Sequence, residues 1–342
     1  MKRIRLPFAP GINVDFADRE LALRRVEEWA NKGTYPVQVV YGPEGCGKTA
    51  WLRQSVELLR ELGFDVIYIN PTESGARVEL SVVDLRERLL ALVREATEQG
   101  TWGRVAWAII DIARSAIDAR VRKLAIIVDD VFQTIGLDKA ALYVKGLLGI
   151  LEHPPAEYER VITIVATSEG VSLREVGRHN WAEFKPIWNM PREGFKQLYD
   201  QIPGGKPPFE DMWQVTGGNP RTLLRLYKNN WNMENTVKEL IREKDITPQF
   251  TAKWRTWLEK AVEDPDTLWN PDAPEELINE LIRMNLILHN LHDRDPWFWV
   301  DQPPPEKDLE LGIGKYVAWQ TPLHREAVRK ALESLKADGP SP

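Results

Sequence analysis

Apolar positions in this chain follow two rhythms. One is a series of short, largely apolar runs at residues 37–41, 64–70, 123–129 and 161–168, each closed by a glycine or a polar residue, followed by a last candidate strand at 183–188 that Glu183 and Lys185 interrupt. Runs of that length, apolar on both faces, predict strands buried within a parallel sheet. The other rhythm has helical spacing. From Ala50 to Leu62 the residues Leu52, Val56, Leu59 and Leu62 share one face, and comparable stretches cover about 79–99, 104–121 and 138–151. Strand and helix thus alternate through the first 190 residues, which is the signature of an α/β fold.

Punctuation refines this reading. Pro10-Gly11 marks residues 9–16 as an irregular loop, and Asp18 is placed to cap a helix that starts at Arg19 and stops at Gly33. A turn at residues 71–75 separates the second strand from its helices. Beyond residue 190 the strand runs stop. Met190-Pro191-Arg192-Glu193 opens a helical segment, residues 203–208 form a proline- and glycine-rich linker, and Asn219 followed by Pro220 gives a sharp helix start. Further helices span 232–262, and residues 264–274 read as a second linker. A helix at 274–288, strands at 297–301 and 315–320, and a helix at 322–335 then suggest a winged-helix module. The expected organisation is an α/β core over 1–190, a helical lid over 191–263 and the winged-helix-like segment over 264–342.

Composition narrows the function classes. Apolar residues are 43% and charged residues 28% of the chain, as in globular proteins with a packed core. The net charge of −6 gives no whole-chain argument for nucleic acid or an anionic membrane. A single cysteine excludes an internal disulfide framework. No apolar run spans a bilayer and the first residues lack a signal-peptide pattern, so the expected location is the cytoplasm. Eight of the fourteen tryptophans lie beyond residue 200, which predicts aromatic cores in the C-terminal half.

The candidate chemistry begins where the first strand ends. Gly42-Pro43-Glu44-Gly45-Cys46-Gly47-Lys48-Thr49 matches the phosphate-binding P-loop, with strand before it and the helix from Ala50 after it. Its glycines let backbone N–H groups turn toward an anion, Lys48 brings a charge to the β- and γ-phosphates, and the Thr49 hydroxyl can ligate Mg²⁺. Cys46 is read as a tolerated small residue within the loop. The third strand delivers Asp129 and Asp130 at its C-terminal end, the edge where such sheets bind ligands. Asp129 is assigned to the metal and Asp130 to activation of water. Thr167 or Ser168, closing the fourth strand, stands at a γ-phosphate sensor position. Arg174 and Arg178 compete for the role of an arginine finger. Phe16 and Arg19 are candidates for the adenine side. Arg221, in the first helical turn after Asn219-Pro220, can reach the γ-phosphate if the lid closes.

In their order, Phe16-Ala17-Asp18-Arg19-Glu20, the P-loop, Asp129-Asp130, Thr167-Ser168 and Thr216-Gly217-Gly218-Asn219-Pro220-Arg221 resemble the archaeal ATPases of the STAND class, which are related to AAA+ proteins. The resemblance runs over about residues 10–335. It implies an AAA+-like core with a parallel five-stranded sheet in the order 5-1-4-3-2, a helical lid and a winged-helix domain. It also implies ATP and ADP as ligands with Mg²⁺, and a switch that is closed with ADP and signals or assembles with ATP. The choice of ATP over GTP rests on this resemblance. Asp130 stands where AAA+ motors usually carry glutamate, and the helices across 79–122 are longer than a minimal core needs, as if to serve a partner.

Three functions compete on this reading. The first is a slow ATPase switch that couples nucleotide state to a protein partner or to self-assembly. The second is a DNA-binding initiator or loader like the origin-recognition ATPases. Against it, residues 264–342 carry eight basic and fifteen acidic side chains, a balance of −7 where DNA contacts need cations. The third, a small-molecule kinase, leaves the residues beyond the core without a task.

Overall fold

The computed structural model describes residues 2–73, 75–168 and 176–337. Along the chain these form strands β1 (Arg5–Ala9) and β2 (Ile12–Asp15), helix α1 (Glu20–Lys32), β3 (Val37–Tyr41) and α2 (Lys48–Glu61). Next come β4 (Asp65–Asn70), β5 (Gly75–Glu79), α3 (Val83–Gln99), α4 (Trp102–Asp118) and β6 (Lys123–Asp129). After them are α5 (Phe132–Ile135), α6 (Ala140–Glu152), β7 (Arg160–Thr167) and β8 (Ala182–Pro186). The remainder is mostly helical: α7 (Arg192–Asp200), α8 (Phe209–Thr216), α9 (Pro220–Lys228), α10 (Met233–Glu243) and α11 (Pro248–Lys253). It ends with α12 (Arg255–Glu263), α13 (Glu275–Arg283), β9 (Ile287–His289), β10 (Val317–Trp319) and α14 (Pro322–Ala337). The chain divides into two compact units.

The first unit holds Arg19–Tyr41 and Lys48–Pro186. Its sheet has six strands among the described residues, in the order β5-β4-β6-β7-β3-β8. The expected five-stranded parallel sheet is thereby corrected. Five strands are parallel and lie in the order 5-1-4-3-2, but β5 adds an antiparallel edge to β4. The turn signal before β5 hid it. Only Ala76 and Val78 turn to the core, while Arg77 pairs with Glu57 and Glu79, charges that suit an edge strand. In β6 the side chains from Leu124 to Asp129 are completely buried, as a central parallel strand requires.

Helix α4 buries Val105, Ile109, Ile112, Ala113 and Ala116 in the same core, whereas α3 buries Leu89 and Ala96 and packs on α4. The long 79–122 stretch is therefore built into the core of this unit. The capping role expected of Asp18 is also corrected. Helix α1 starts at Glu20, its N-cap Arg19 has a left-handed backbone (φ 65°), and no side chain caps it among the described residues.

The second unit holds Arg5–Asp18, Gly42–Gly47 and Ile187–Pro342. Residues 9–16, expected as irregular loop, include β2 of a hairpin, because Ile12 and Val14 alternate with Asn13 and Asp15. Phe8 and Val14 of that hairpin pack with Phe195, Tyr199, Leu223 and Leu226 of the helices, and Phe8 meets the Tyr227 ring edge-on at 5.7 Å. Here Asp18 packs against Gly194, where a Cβ would fall 2.0 Å from its carboxylate.

Toward the C-terminus the strand expected at 297–301 is absent. Asp295 accepts the N–H of Trp297, Pro296 takes the first helical position, and a 3-10 turn forms at Pro296–Phe298. The strand that pairs with β10 is β9, just after α13, in a ladder of three residues on each side. The expected linker at 264–274 is likewise structured. Pro265–Trp269 is a 3-10 turn with Leu268 buried, and Asp266 accepts the N–H groups of Lys315, Tyr316 and Val317. No described helix is long and apolar enough to cross a membrane.

Candidate functional site

The division between units falls inside the P-loop, after Gly47. Its first part, Gly42–Gly47, needs glycine for two separate reasons. Gly45 and Gly47 have φ of 75° and 100°, a region that side-chain-bearing residues rarely enter. At Gly42 the reason is contact, since a Cβ there would lie 1.9 Å from the Ile187 carbonyl oxygen. A Cβ on Gly45 would lie 2.2 Å from the Cβ of Arg221, so the start of α9 rests directly on the loop backbone. The Arg221 N–H donates to the Gly45 carbonyl at 3.3 Å, and Cys46 N–H donates to Pro43 O at 3.2 Å. Cys46 itself is fully buried.

Glu44 is held through its side chain and both of its backbone polar groups. Its carboxylate accepts from Arg221 at 2.5 Å and from Lys244 at 2.7 Å. Its backbone N–H donates to Gln320 Oε1 at 2.8 Å, and its carbonyl accepts from Asn219 Nδ2 at 2.9 Å. Asn219 also caps α9 by accepting from Thr222 N–H at 2.9 Å, and it donates to Asn189 Oδ1 at 2.8 Å. Asn189 in turn donates to the Gln320 carbonyl at 3.0 Å. Burial alone would raise the Glu44 carboxyl above its ordinary range. Lys244, then Arg221, outweigh that and hold it at about 2. Nearby His324 is pushed down to about 3, first by burial and then by the Lys244 charge, and it hydrogen-bonds Thr321 Oγ1 at 2.8 Å.

In the first unit, the ends of the central strands gather the acidic chemistry. Parallel register sets Asp129 opposite Ala166 and Thr167 opposite Tyr41, so Asp129, Asp130, Thr167 and Ser168 follow one edge of the sheet. Asp129 is fully buried and accepts from Asn70 at 3.0 Å and Tyr68 at 3.4 Å through Oδ2. Its Oδ1, and Oδ1 of Asp130, have no hydrogen-bond partner among the described residues. Burial first, then the neighbouring Asp130, pushes Asp129 up to about 7, against the pull of the Thr49 hydroxyl and Lys48. Asp130 has a left-handed backbone (φ 50°) and donates its N–H to Ala166 O at 2.9 Å.

Two orphaned, buried carboxylate oxygens beside a threonine hydroxyl are the hard donor set that suits Mg²⁺. No group of three or more His, Cys, Asp or Glu is assembled among the described residues, so further ligands would come from phosphate and water.

The remaining expected residues are spread more widely. Lys48 is buried at the start of α2, followed by Thr49 and Ala50, both half-buried. Phe16 and Arg19 are buried, and Pro220 is the first residue of α9. Arg178 is exposed in a turn, while Arg174 lies outside the described residues. Lys244, Gln320, Asn189, Asn70 and Tyr68 were not singled out from the sequence. Asn70 had a usable signal, because it ends the strand beside β6. Lys244 and Gln320 had none.

A complete P-loop pattern between β3 and α2, on a sheet whose five parallel strands run in the order 5-1-4-3-2, makes the chain a P-loop protein. A family model described as an ATPase domain predominantly from Archaea matches residues 16–226, and the chain belongs to that family. No curated protein matches it. Among solved structures it is similar to the Aeropyrum pernix ORC2 protein in ADPNP–ADP complexes, at 13% identity over 94% of each chain with a TM-score of 0.43. It is also similar to the Aeropyrum pernix ORC1 protein in complex with DNA, at 17% identity over 93% of this chain and 92% of that one, TM-score 0.40. AMPPCP-bound DnaA from Aquifex aeolicus matches at 17% identity over 72% and 74% of the two chains, TM-score 0.38. Likenesses this loose assign no activity to this chain.

Proposed function

We propose that the protein is an ATP-hydrolysing switch of the STAND and AAA+ kind, which binds Mg·ATP on the P-loop and passes the state of the nucleotide to the helices that hold that loop. The observation that carries this reading is Asp129, a buried carboxylate with an unpartnered oxygen beside Thr49 and downstream of a complete P-loop. Such a group is costly unless a cation completes it. Thr49 and Asp129 would hold Mg²⁺, whose chemistry is to neutralise charge on the phosphates. Lys48 and the amides at the Gly47–Thr49 end of the loop bind and orient the triphosphate. Asp130 takes the proton of the attacking water as its oxygen bonds to the γ-phosphorus, and the bond to the β,γ-bridging oxygen breaks to leave ADP and phosphate. Thr167 or Ser168 senses the γ-phosphate. Phe16 and Arg19 wall the adenine, and Arg178 or Arg174 supplies the finger.

The clamp on Glu44 supports the switch half of the reading. A loop tied to α9, to the end of α10 and to the start of α14 cannot shift without disturbing those helices. The output is a protein partner or self-assembly. The DNA-initiator alternative needs cations that the C-terminal segment, at −7, lacks. Lys48→Ala should abolish ATP binding or turnover in the purified protein, and unchanged ATPase activity in that variant would overturn the proposal.

A further inference from the structure

Tryptophan is a costly residue to leave in water, yet Trp297 is 65% exposed, and beside it Phe298 is 42% exposed. The segment that carries them is firmly built. The Arg294 guanidinium turns inward and donates to the carbonyls of His292 at 2.8 Å, Gly314 at 3.0 Å and Pro305 at 3.2 Å. Trp299 is buried, and its indole N–H donates to the Asp293 carbonyl at 2.7 Å. Phe298 stacks on the His292 ring at 6.1 Å. Trp297 and Phe298 are thus presented to solvent from a fixed backbone, which lowers the ordering cost of binding. Exposed tryptophans on such a frame are the kind of anchor that dominates protein interfaces.

Charge selects the occupant. Residues 291–310 carry two basic and six acidic side chains, a balance of −4. Both cations are committed: Arg294 to the three carbonyls, and Lys307 to Asp264 at 2.6 Å and Asp266 at 3.5 Å. Asp301 is buried, whereas Asp293, Asp295, Glu306 and Glu310 are exposed. An indole face among carboxylates attracts a cation twice, through the ring quadrupole and through charge. The same carboxylates repel nucleic acid and an anionic membrane. A second copy of this chain, at −6, is not the complement either. Arginine suits the surface better than lysine, because its planar guanidinium both stacks on an aromatic face and grips a carboxylate with two N–H groups. We propose that the Trp297–Phe298 surface, with the carboxylates around it, is a docking site for an arginine-bearing segment of another protein. The site uses none of the residues assigned to nucleotide, so it stands whether or not the chain hydrolyses ATP.

Calorimetric titration of the full-length protein without nucleotide tests this, with oligoarginine, oligolysine and oligoglutamate peptides of equal length and a DNA duplex as probes. Oligoarginine should bind more tightly than oligolysine, and neither oligoglutamate nor DNA should bind. Trp297→Ala should weaken oligoarginine by about tenfold, the scale of one well-made cation–π contact, while Trp297→Phe should stay within about threefold of wild type. No binding of oligoarginine, or an affinity that Trp297→Ala leaves unchanged, would overturn the proposal, the latter as a general attraction to an acidic protein. Oligolysine binding as tightly as oligoarginine would overturn it too, since charge alone would then suffice. So would DNA bound through Trp297, or a wild-type dimer on size exclusion that Trp297→Ala dissolves, because the occupant would then be nucleic acid or a second copy. Trp297 stands largely in solvent, so its replacement leaves the fold intact. The ATPase reading is untouched by any of these outcomes and is decided separately by Lys48→Ala.

Discussion

The backbone N–H of Glu44 donates to the side-chain oxygen of Gln320 at 2.8 Å, across 276 residues of sequence. That bond ties the middle of the P-loop to the residue that follows β10. Gln320 is itself anchored at both backbone groups, donating to Leu286 O at 2.9 Å and accepting from Asn189 at 3.0 Å. The loop and the C-terminal segment of the second unit therefore share one hydrogen-bonded network.

Replacing Gln320 with Leu should expose how much that network holds. The variant keeps the side-chain volume but leaves the Glu44 N–H without its acceptor, so it should lose about 1–3 kcal/mol of stability. A urea titration checks this as a lower midpoint at unchanged slope. A midpoint equal to that of wild type would mean that the bond does not stabilise the fold.

Acidification should weaken the same region through two groups that act in the same direction. His324 is buried neutral with a value of about 3, against 6.5 for an ordinary histidine, so the unfolded chain takes up its proton first. Its contribution is complete above pH 6.5 and is lost as the pH falls toward 3. Glu44, held at about 2 against 4.5, adds stability above pH 4.5 that is lost as the pH falls toward 2. The charged groups acting on His324 are Lys244, Glu44 and Arg225. Thermal melts from pH 7 to 4 should therefore fall less steeply for His324→Gln than for wild type. Parallel curves would remove His324 from the account.

How much of this was legible in the sequence depended on distance along the chain. The placement of Lys48 and Thr49 at the start of α2, and of Asp129 and Asp130 at the end of β6, was legible because each pair follows an apolar run that reads as a strand. The parallel strand order came with the family resemblance. The edge strand β5 was not legible, since Ala76 and Val78 are too few to stand out against a turn signal. At 297–301 the error ran the other way. The apolar residues Trp297–Val300 read as a strand, but Asp295 and Pro296 form a helical start, and that local capping prevailed. The Glu44 clamp had no local signature, because Lys244 and Gln320 lie 200 and 276 residues from it.

The pair α3 and α4, which the sequence suggested as a docking insertion, makes a separate prediction. Ile109 on α4 is completely buried in the core that also holds Ile126 and Val128 of β6. Ile109→Ala should cost about 2–5 kcal/mol, as do comparable core truncations. A loss below about 1 kcal/mol, read from urea unfolding, would show that α4 is a detachable addition to the sheet.

Asp129 gives the sharpest separation between stability and function. Burial, and then the neighbouring Asp130, make its negative charge unfavourable without a cation, which is why the group sits near 7 and not near 4. Asp129→Asn removes that charge. The amide oxygen can still accept from Asn70 and Tyr68, and the new NH₂ can face the position now left without a partner. At pH 7.5 the nucleotide-free variant should therefore be more stable than wild type, by on the order of a few kcal/mol, since the displacement from 3.8 to about 7 spans roughly three units at about 1.4 kcal/mol each. Mg·ATP should raise the melting temperature of wild type and leave that of the variant nearly unchanged, because ligand stabilisation requires binding to the folded state. The two melts separate the possible roles. A variant less stable than wild type without nucleotide would make Asp129 a structural carboxylate. A variant stabilised by Mg·ATP as strongly as wild type would remove it from the metal site. Only a protein that gains stability and loses its response to Mg·ATP fits a carboxylate kept under electrostatic strain for a cation.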